Sequence, residues 1–87
     1  MELKWLVQPG DVELAVGKPA EVPCKAEGVP TPKIEWTRVG TDRRDLLGSE
    51  LRFSAASQQD AGVYECRASN GADEDLLARM ELKILGK

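Results

Sequence analysis

The chain has 87 residues, of which 41% are hydrophobic, and this is enough for one domain with a small core. Its formal net charge is −3, whereas nucleic-acid-binding surfaces are basic, so we expect no nucleic-acid partner. No apolar run reaches the roughly 18–20 residues that a membrane-spanning helix needs, and we expect no membrane contact by this domain.

The two ends of the chain bear on its domain organisation. Met1 comes directly before a predicted first strand, with no cleavable signal peptide visible, and the chain stops at Gly86-Lys87. We therefore expect residues 1–87 to form a single domain that has been excised from a longer, multidomain protein.

Short runs of alternating apolar and polar residues, broken by turn residues, predict an all-β domain. After a first strand within residues 3–7, the runs in chain order are residues 12–16, 20–27, 33–37, 51–53, 63–68 and 78–84. Between them, Pro30 and Pro32 stiffen a turn that no helix could cross. The dipeptide Asn70-Gly71 predicts a tight hairpin, because both residues tolerate positive φ.

Three features do not follow the simple alternation. Pro23 lies inside a strand pattern and cannot donate a ladder hydrogen bond, so a first strand that breaks at Pro9-Gly10 and switches sheets would explain it. The stretch of residues 39–50 has no clear alternation. Trp5 is either a core residue of the first strand or an anchor against a preceding domain, and the pattern leaves both open.

The chain contains two cysteines, Cys24 and Cys66, and no histidine. Metal sites bring cysteines in close pairs and usually add histidine, and a redox motif needs Cys-x-x-Cys, so neither is predicted. A long-range disulfide and two buried free thiols remain. We favour the disulfide, which would stabilise the domain by about 4 kcal/mol and implies an oxidising compartment.

The residues Cys24 and Trp36, followed by the run Asp60-x-Gly62-x-Tyr64-x-Cys66, resemble the immunoglobulin-fold signature. Three further segments resemble the I-set branch of that family: residues 28–36, which match Gly-x-Pro-x-Pro-x-Ile-x-Trp; residues 51–53; and residues 66–70. The stretch between Trp36 and Leu51 is shorter than in most members and is similar to that of contactin-like neural adhesion molecules.

The resemblance implies a two-sheet antiparallel Greek-key sandwich with a shortened region where the C′ and D strands usually lie. It also implies that Trp36 packs against a Cys24–Cys66 disulfide and that Tyr64 occupies the tyrosine-corner position. Gly62 would let the chain bend there, and Asp60 would either cap the turn or pair with a nearby arginine. Leu51 belongs to the implied core.

The residue inventory gives little support to catalysis. Without histidine, and with both thiols expected in a disulfide, no Ser-His or Cys-His dyad can form, so we predict neither an enzyme nor a cofactor. The acidic run at residues 73–75 lacks the spaced oxygen ligands of a calcium site and is interpreted as a solvated turn, so no metal is predicted.

Candidate partner-binding residues lie in two places. The loop around Arg43 and Arg44 carries the residue type enriched at interface hot spots, although local pairing of its alternating charges is the simpler interpretation. The leucines Leu46, Leu47 and Leu77 would form an adhesive patch if they cluster on one exposed surface.

The resemblance implies a protein-interaction or spacer module of an extracellular adhesion or receptor protein. Its partners would be adjacent Ig or fibronectin-type domains and a cell-surface ligand or receptor, while the oligomeric state is left open. A cytoplasmic, sarcomeric module with reduced cysteines is the alternative. An engineered Ig scaffold is a third hypothesis, suggested by the short middle segment and by the absence of an Asn-x-Ser/Thr site.

Overall fold

The structure, a computed structural model, describes residues 2–40 and 44–86, with the backbone alone at residues 44–46. Within these ranges the chain forms nine strands and one short 3-10 helix. They are β1 (Lys4–Val7), β2 (Val12–Ala15), β3 (Ala20–Val22), β4 (Lys25–Glu27), β5 (Lys33–Val39), β6 (Arg44–Gly48), β7 (Leu51–Phe53), the 3-10 helix Gln58–Asp60, β8 (Gly62–Ser69) and β9 (Leu76–Leu85).

One layer is a five-stranded sheet with the order β2-β9-β8-β5-β6. Its strands pair antiparallel, except that β2 runs parallel to β9. Trp36, Cys66 and Ala78 lie opposite one another across β5, β8 and β9 and share one face of the sheet. Because side chains alternate along a strand, the intervening residues form the opposite, outer face.

The second layer consists of two small antiparallel ladders, β1 with β4 and β3 with β7. The strands β3 and β4 are successive parts of one extended segment that is interrupted at Pro23 and Cys24. The predicted sheet switch at Pro9-Gly10 is confirmed, since β1 lies in this layer and β2 in the other. The described residues therefore form an all-β immunoglobulin-like sandwich, as predicted.

The core lies between the two layers. Its buried residues come from both sides: Val22, Trp36, Leu51, Tyr64, Cys66, Met80 and Leu82. Trp5 is half-buried and packs against this cluster. Of the two positions that the sequence left open for Trp5, the structure therefore shows the one at the core. Burying such side chains stabilises the domain by roughly 1.5–3 kcal/mol each, which makes this cluster the main source of its stability.

The irregular stretch of residues 39–50 contains a strand after all. The strand β6 pairs with β5 at the position expected for C′. Only Ser49 and Glu50 separate β6 from β7, so the described residues contain no D strand between them. The shortening therefore falls on the D region.

The prediction of a tight turn at Asn70-Gly71 is wrong. The strands β8 and β9 are joined by a six-residue loop, because β8 ends at Ser69 and β9 begins at Leu76. In this loop the Asn70 Oδ1 accepts hydrogen bonds from the backbone N–H groups of Ala72 and Asp73, both at 3.0 Å. These bonds stabilise a wider turn that the dipeptide rule does not consider.

Candidate functional site

The two cysteines join the layers at the centre of the sandwich. Cys24 lies between β3 and β4, Cys66 lies in β8, and their sulfur atoms are 2.00 Å apart with a Cα–Cα distance of 6.7 Å. Trp36 is opposite Cys66 in the strand register and is 1% exposed. The disulfide and the indole therefore hold the two layers together and fix the sheet whose outer face is described below.

Tyr64 closes the turn before β8. Its hydroxyl donates a hydrogen bond to the backbone carbonyl of Asp60 at 2.5 Å. The Asp60 carboxylate in turn accepts from the backbone N–H of Ser57 at 2.9 Å. The sequence left two roles open for Asp60, capping the turn or pairing with an arginine. In the structure its carboxylate caps the turn. Gly62 adopts a φ of 151°, a region that L side chains rarely occupy.

Arg38 is a structural residue that the sequence did not reveal. Its guanidinium donates to the carbonyls of Gln59 at 2.6 Å and Ala61 at 2.8 Å, and it lies 5.5 Å from the centre of the Tyr64 ring. Burial raises the pKa of Tyr64 above its ordinary value of 10.0; the Arg38 charge opposes this shift and the Asp60 charge adds to it. The contacts of this cluster stabilise the turn before β8.

Neither a metal-binding cluster nor a helix that could span a membrane is found among the described residues. Among them, no group of three or more His, Cys, Asp or Glu residues is arranged to hold a metal ion. No helix in this part of the chain is both long and apolar enough to cross a bilayer. The candidate site described next lies on the outer face of the five-stranded sheet.

The outer face of β5, β8 and β9 carries a charged depression of about 570 Å³. Its lining combines three acidic residues, two arginines, one threonine and one leucine: Glu35, Glu65, Asp75, Arg67, Arg79, Thr37 and Leu77. They come together because Thr37, Glu65 and Arg79 are opposite one another across the three strands, as are Glu35, Arg67 and Leu77. We call this set of seven residues the outer-face patch.

Two ion pairs organise the outer-face patch. Arg79 Nε donates to Glu65 Oε2 at 3.0 Å, and Arg67 Nε donates to Asp75 Oδ2 at 2.7 Å. Glu65 is only 7% exposed although it lies on the outer face. Both arginines remain more than half exposed, so their charges are presented to solvent while the pairing orients them.

Thr37 adds an unsatisfied polar group to the patch. Its Oγ1 is buried and has no hydrogen-bond partner within the described residues.

Of the predicted partner-binding residues, the structure describes the side chains of Leu47 and Leu77, and these two lie apart. Leu77 lies on the outer-face patch and is 57% exposed, whereas Leu47 lies beside Arg38 and Tyr64 at the rim of the other side. The backbone of Arg44 and Leu46 is part of β6, but their side chains, like all of Arg43, lie outside the described residues. The leucine cluster is thus not assembled by Leu47 and Leu77.

The sequence placed Glu65 and Arg67 on one face of their strand but did not indicate that Glu65 would be buried. The available signal was the presence of opposite charges that face each other in the folded chain: Glu65 on β8 with Arg79 on β9, and Arg67 on β8 with Asp75 just before β9. That signal could be used only once the register of β8 and β9 was known.

A sequence model of the family described as "Immunoglobulin domain" matches residues 4–70. Hemicentin-1 of Mus musculus is 40% identical over 77% of this chain, Neogenin of Homo sapiens 34% over 95%, and Contactin-5 of Mus musculus 36% over 93%. The chain spans 1%, 6% and 8% of the lengths of these relatives, respectively. The similarity to contactins that the sequence predicted is confirmed.

Solved structures show the same architecture. The N-terminal eight Ig domains of Down Syndrome Cell Adhesion Molecule match with a TM-score of 0.86 and 25% identity over 97% of this chain and 12% of that one. Drosophila OTK extracellular domains 3-5 match with a TM-score of 0.83 and 28% identity, over 95% of this chain and 30% of that one. A chain of a mutant titin M10–obscurin like 1 Ig complex matches with a TM-score of 0.80 and 31% identity, over 95% of this chain and 92% of that one.

Proposed function

The chain belongs to the immunoglobulin domain family, and from that premise we propose that it is a non-catalytic protein-interaction and spacer module of an extracellular adhesion or cell-surface receptor protein. In this proposal residues 1–87 are one domain of a longer protein. Its partners are adjacent Ig or fibronectin-type domains and a cell-surface ligand or receptor. The similarity to a cell adhesion molecule and to extracellular domains supports this assignment.

The outer-face patch is the observation that carries the binding role. It combines exposed arginines, oriented by ion pairs, with an exposed leucine. Arginine is enriched at binding hot spots, and a partner that covers the patch would exclude water from charges that are already oriented. A surface of this kind suits a protein partner better than a small molecule, because six of its seven lining residues are polar or charged, whereas small-molecule sites are lined mainly by apolar side chains.

Binding through this patch can be tested with fluorescent tetramers of the folded domain on intact cells, measured by flow cytometry. Arg67→Ala should lower binding about tenfold, the effect of losing one hot-spot residue. Lys4→Ala is the matched control, because Lys4 is also exposed and ion-paired but lies on β1 in the other layer. Equal binding by wild type and both variants would show that the patch is not the binding surface.

The Cys24–Cys66 disulfide supports the extracellular compartment, since such bonds persist where the environment is oxidising. Mass spectrometry of protein isolated from its native compartment under thiol-blocking conditions should show a bridged pair. Two alkylated thiols would contradict the extracellular assignment while leaving the fold intact.

An intracellular structural module is the second candidate function. The observation that favours it is the 31% identity, over 95% of this chain, to a chain of the mutant titin M10–obscurin like 1 Ig complex. The same thiol-blocking experiment separates the two candidates. In either case the proposed contact residues also include Arg43, Arg44, Leu46 and Leu47. The double substitution Arg43→Ala with Arg44→Ala should lower the affinity for a partner protein without changing the stability of the domain.

A further inference from the structure

One edge of the five-stranded sheet is only partly covered. The strand β9 extends over Leu76–Leu85, but β2 pairs only with its last four residues, from Leu82 to Leu85. Residues 76–81 are paired with β8 on one side and lack a strand on the other, within the described part of the chain. This leaves an uncovered half-strand, residues 76–81, beside the outer-face patch.

The direction of the backbone groups follows from one hydrogen bond. The N–H of Glu81 points away from β8, because it donates to Asp11 Oδ1 at 2.8 Å. Backbone groups alternate in direction along a strand, so the N–H and C=O groups of Leu77 and Arg79 point to the same uncovered side. No hydrogen bond from a described residue reaches them there. An edge with such groups is a template for pairing with another strand.

The side chains along this edge have a two-fold pattern. Leu77 is 57% exposed, and the residues two positions before and after it, Asp75 and Arg79, carry opposite charges. All three belong to the outer-face patch. Residues 75–79, the last residue of the loop and the first four of β9, are complementary to an antiparallel copy of themselves, because the two-fold axis brings each Asp75 opposite the Arg79 of the other copy.

We propose that two copies of this chain associate through the uncovered half-strand of β9, antiparallel and centred on Leu77, so that two five-stranded sheets join into one. The inference goes beyond the proposed function, because it concerns self-association of the domain and does not depend on the compartment. It assigns the uncovered half-strand one occupant, the same half-strand of a second copy.

The charges select this register over its neighbours. Centring on Ala78 would place Asp75 opposite Glu81, and centring on Arg79 would place two arginines together. Like charges directly opposite each other destabilise a strand pair. Centring on Leu77 places Asp73 opposite Glu81, but Asp73 lies in the loop three residues before β9, where its carboxylate accepts a hydrogen bond from Asn70. At the centre of the pair, this register brings the two exposed leucines into contact and creates two ion pairs.

The existing ion pairs are compatible with this arrangement. Arg79 uses its Nε for Glu65, and a guanidinium has five N–H donors, so it can also bond a second carboxylate. Asp75 is held by Arg67 in the same way. Across the junction the charges would alternate as Glu65 and Arg79 of one copy, then Asp75 and Arg67 of the second copy.

The association should be weak for an isolated domain. Stable protein interfaces bury roughly 1,200–2,000 Å², and one short strand pair buries less than that. The expected behaviour is a concentration-dependent equilibrium between monomer and dimer. Several such domains presented together on a surface would associate more strongly, because the later contacts become intramolecular.

Sedimentation equilibrium of the purified chain tests the proposal. From about 10 µM to about 1 mM the average mass should rise from that of the monomer towards twice that value. Leu77→Lys places two like charges at the axis and should weaken dimerisation at least about tenfold. Leu6→Lys is the matched control, because Leu6 is also 57% exposed but lies on β1, and it should dimerise like wild type.

Mixing charge variants tests the register. Asp75→Arg alone and Arg79→Asp alone should each remain monomeric, whereas an equimolar mixture should form dimers, because the mixed pair regains both opposite-charge contacts. Thermal unfolding establishes that each variant is folded. The comparison of Leu77→Lys with Leu6→Lys does not depend on the two charge variants. A monomeric wild type at every concentration, a dimer unaffected by Leu77→Lys, or an equal loss with Leu6→Lys overturns the proposal. Folded charge variants whose mixture stays monomeric overturn the register.

Discussion

Replacing Tyr64 by phenylalanine removes one hydroxyl and keeps the ring. The hydroxyl donates to the Asp60 carbonyl at 2.5 Å, whereas the ring keeps its edge contact with Phe53 at 5.8 Å and its position beside Arg38. Losing one hydrogen bond and leaving a half-buried carbonyl without its donor should lower the free energy of unfolding by about 1–2 kcal/mol near pH 7.

The same hydroxyl gives this prediction a pH dependence. Burial raises the pKa of Tyr64 in the folded state above 10.0, so above that pH the unfolded chain loses the proton first. Stability from this group is complete below the ordinary pKa and is lost as the pH rises through the folded-state pKa. Tyr64→Phe lacks this titration, so the stability difference should shrink above pH 10.0 by at most about 1.4 kcal/mol per pH unit.

Urea denaturation of both proteins, followed by tryptophan fluorescence, measures this difference directly. The two proteins differ at this one side chain, so the contributions of all other groups cancel in the comparison. The disulfide must be verified as intact at alkaline pH. A difference near zero at neutral pH, or one that stays constant above pH 10.0, would refute the role assigned to the hydroxyl.

Other substitutions test separate features. Trp36→Ala should cost about 3–5 kcal/mol in denaturation experiments, and an unchanged midpoint would contradict its place in the core. Glu65→Gln should cost roughly 1 kcal/mol because Arg79 loses its carboxylate, while the exposed Glu35→Gln, its control, should stay within about 0.5 kcal/mol. Gly62→Ala should lower stability by about 1–3 kcal/mol through backbone strain at a φ of 151°, and no loss of stability would exclude that strain.

The sandwich was largely predictable because its causes are local in sequence. Alternation in residues 20–27, 33–37 and 63–68 reflects one buried and one exposed face, so it predicts strands whatever their neighbours. Pro23 and the Pro9-Gly10 break indicated that the first strand changes sheets, because proline cannot join a ladder on its N–H side.

Errors arose where distant groups compete with local propensity. Asn70-Gly71 suits a two-residue turn by itself, but Asn70 Nδ2 donates to the carbonyl of Pro30 at 3.2 Å, and that loop is remote in sequence. Similarly, β6 was not predicted, because residues 39–50 do not alternate between apolar and polar. The pairing of β6 with β5 contains a bulge, which interrupts the two-residue period of a regular strand.

The sequence by itself thus favoured the disulfide over free thiols and indicated the core tryptophan, the tyrosine corner and the family, since each depends on residue type and spacing. Only the tertiary structure decided that Glu65 is buried with Arg79, that Leu47 and Leu77 lie apart, and that half of β9 is uncovered. The physical reason is that strand register and sheet edges are set by partners far away in the chain, and a surface acquires its chemistry from the strands placed side by side.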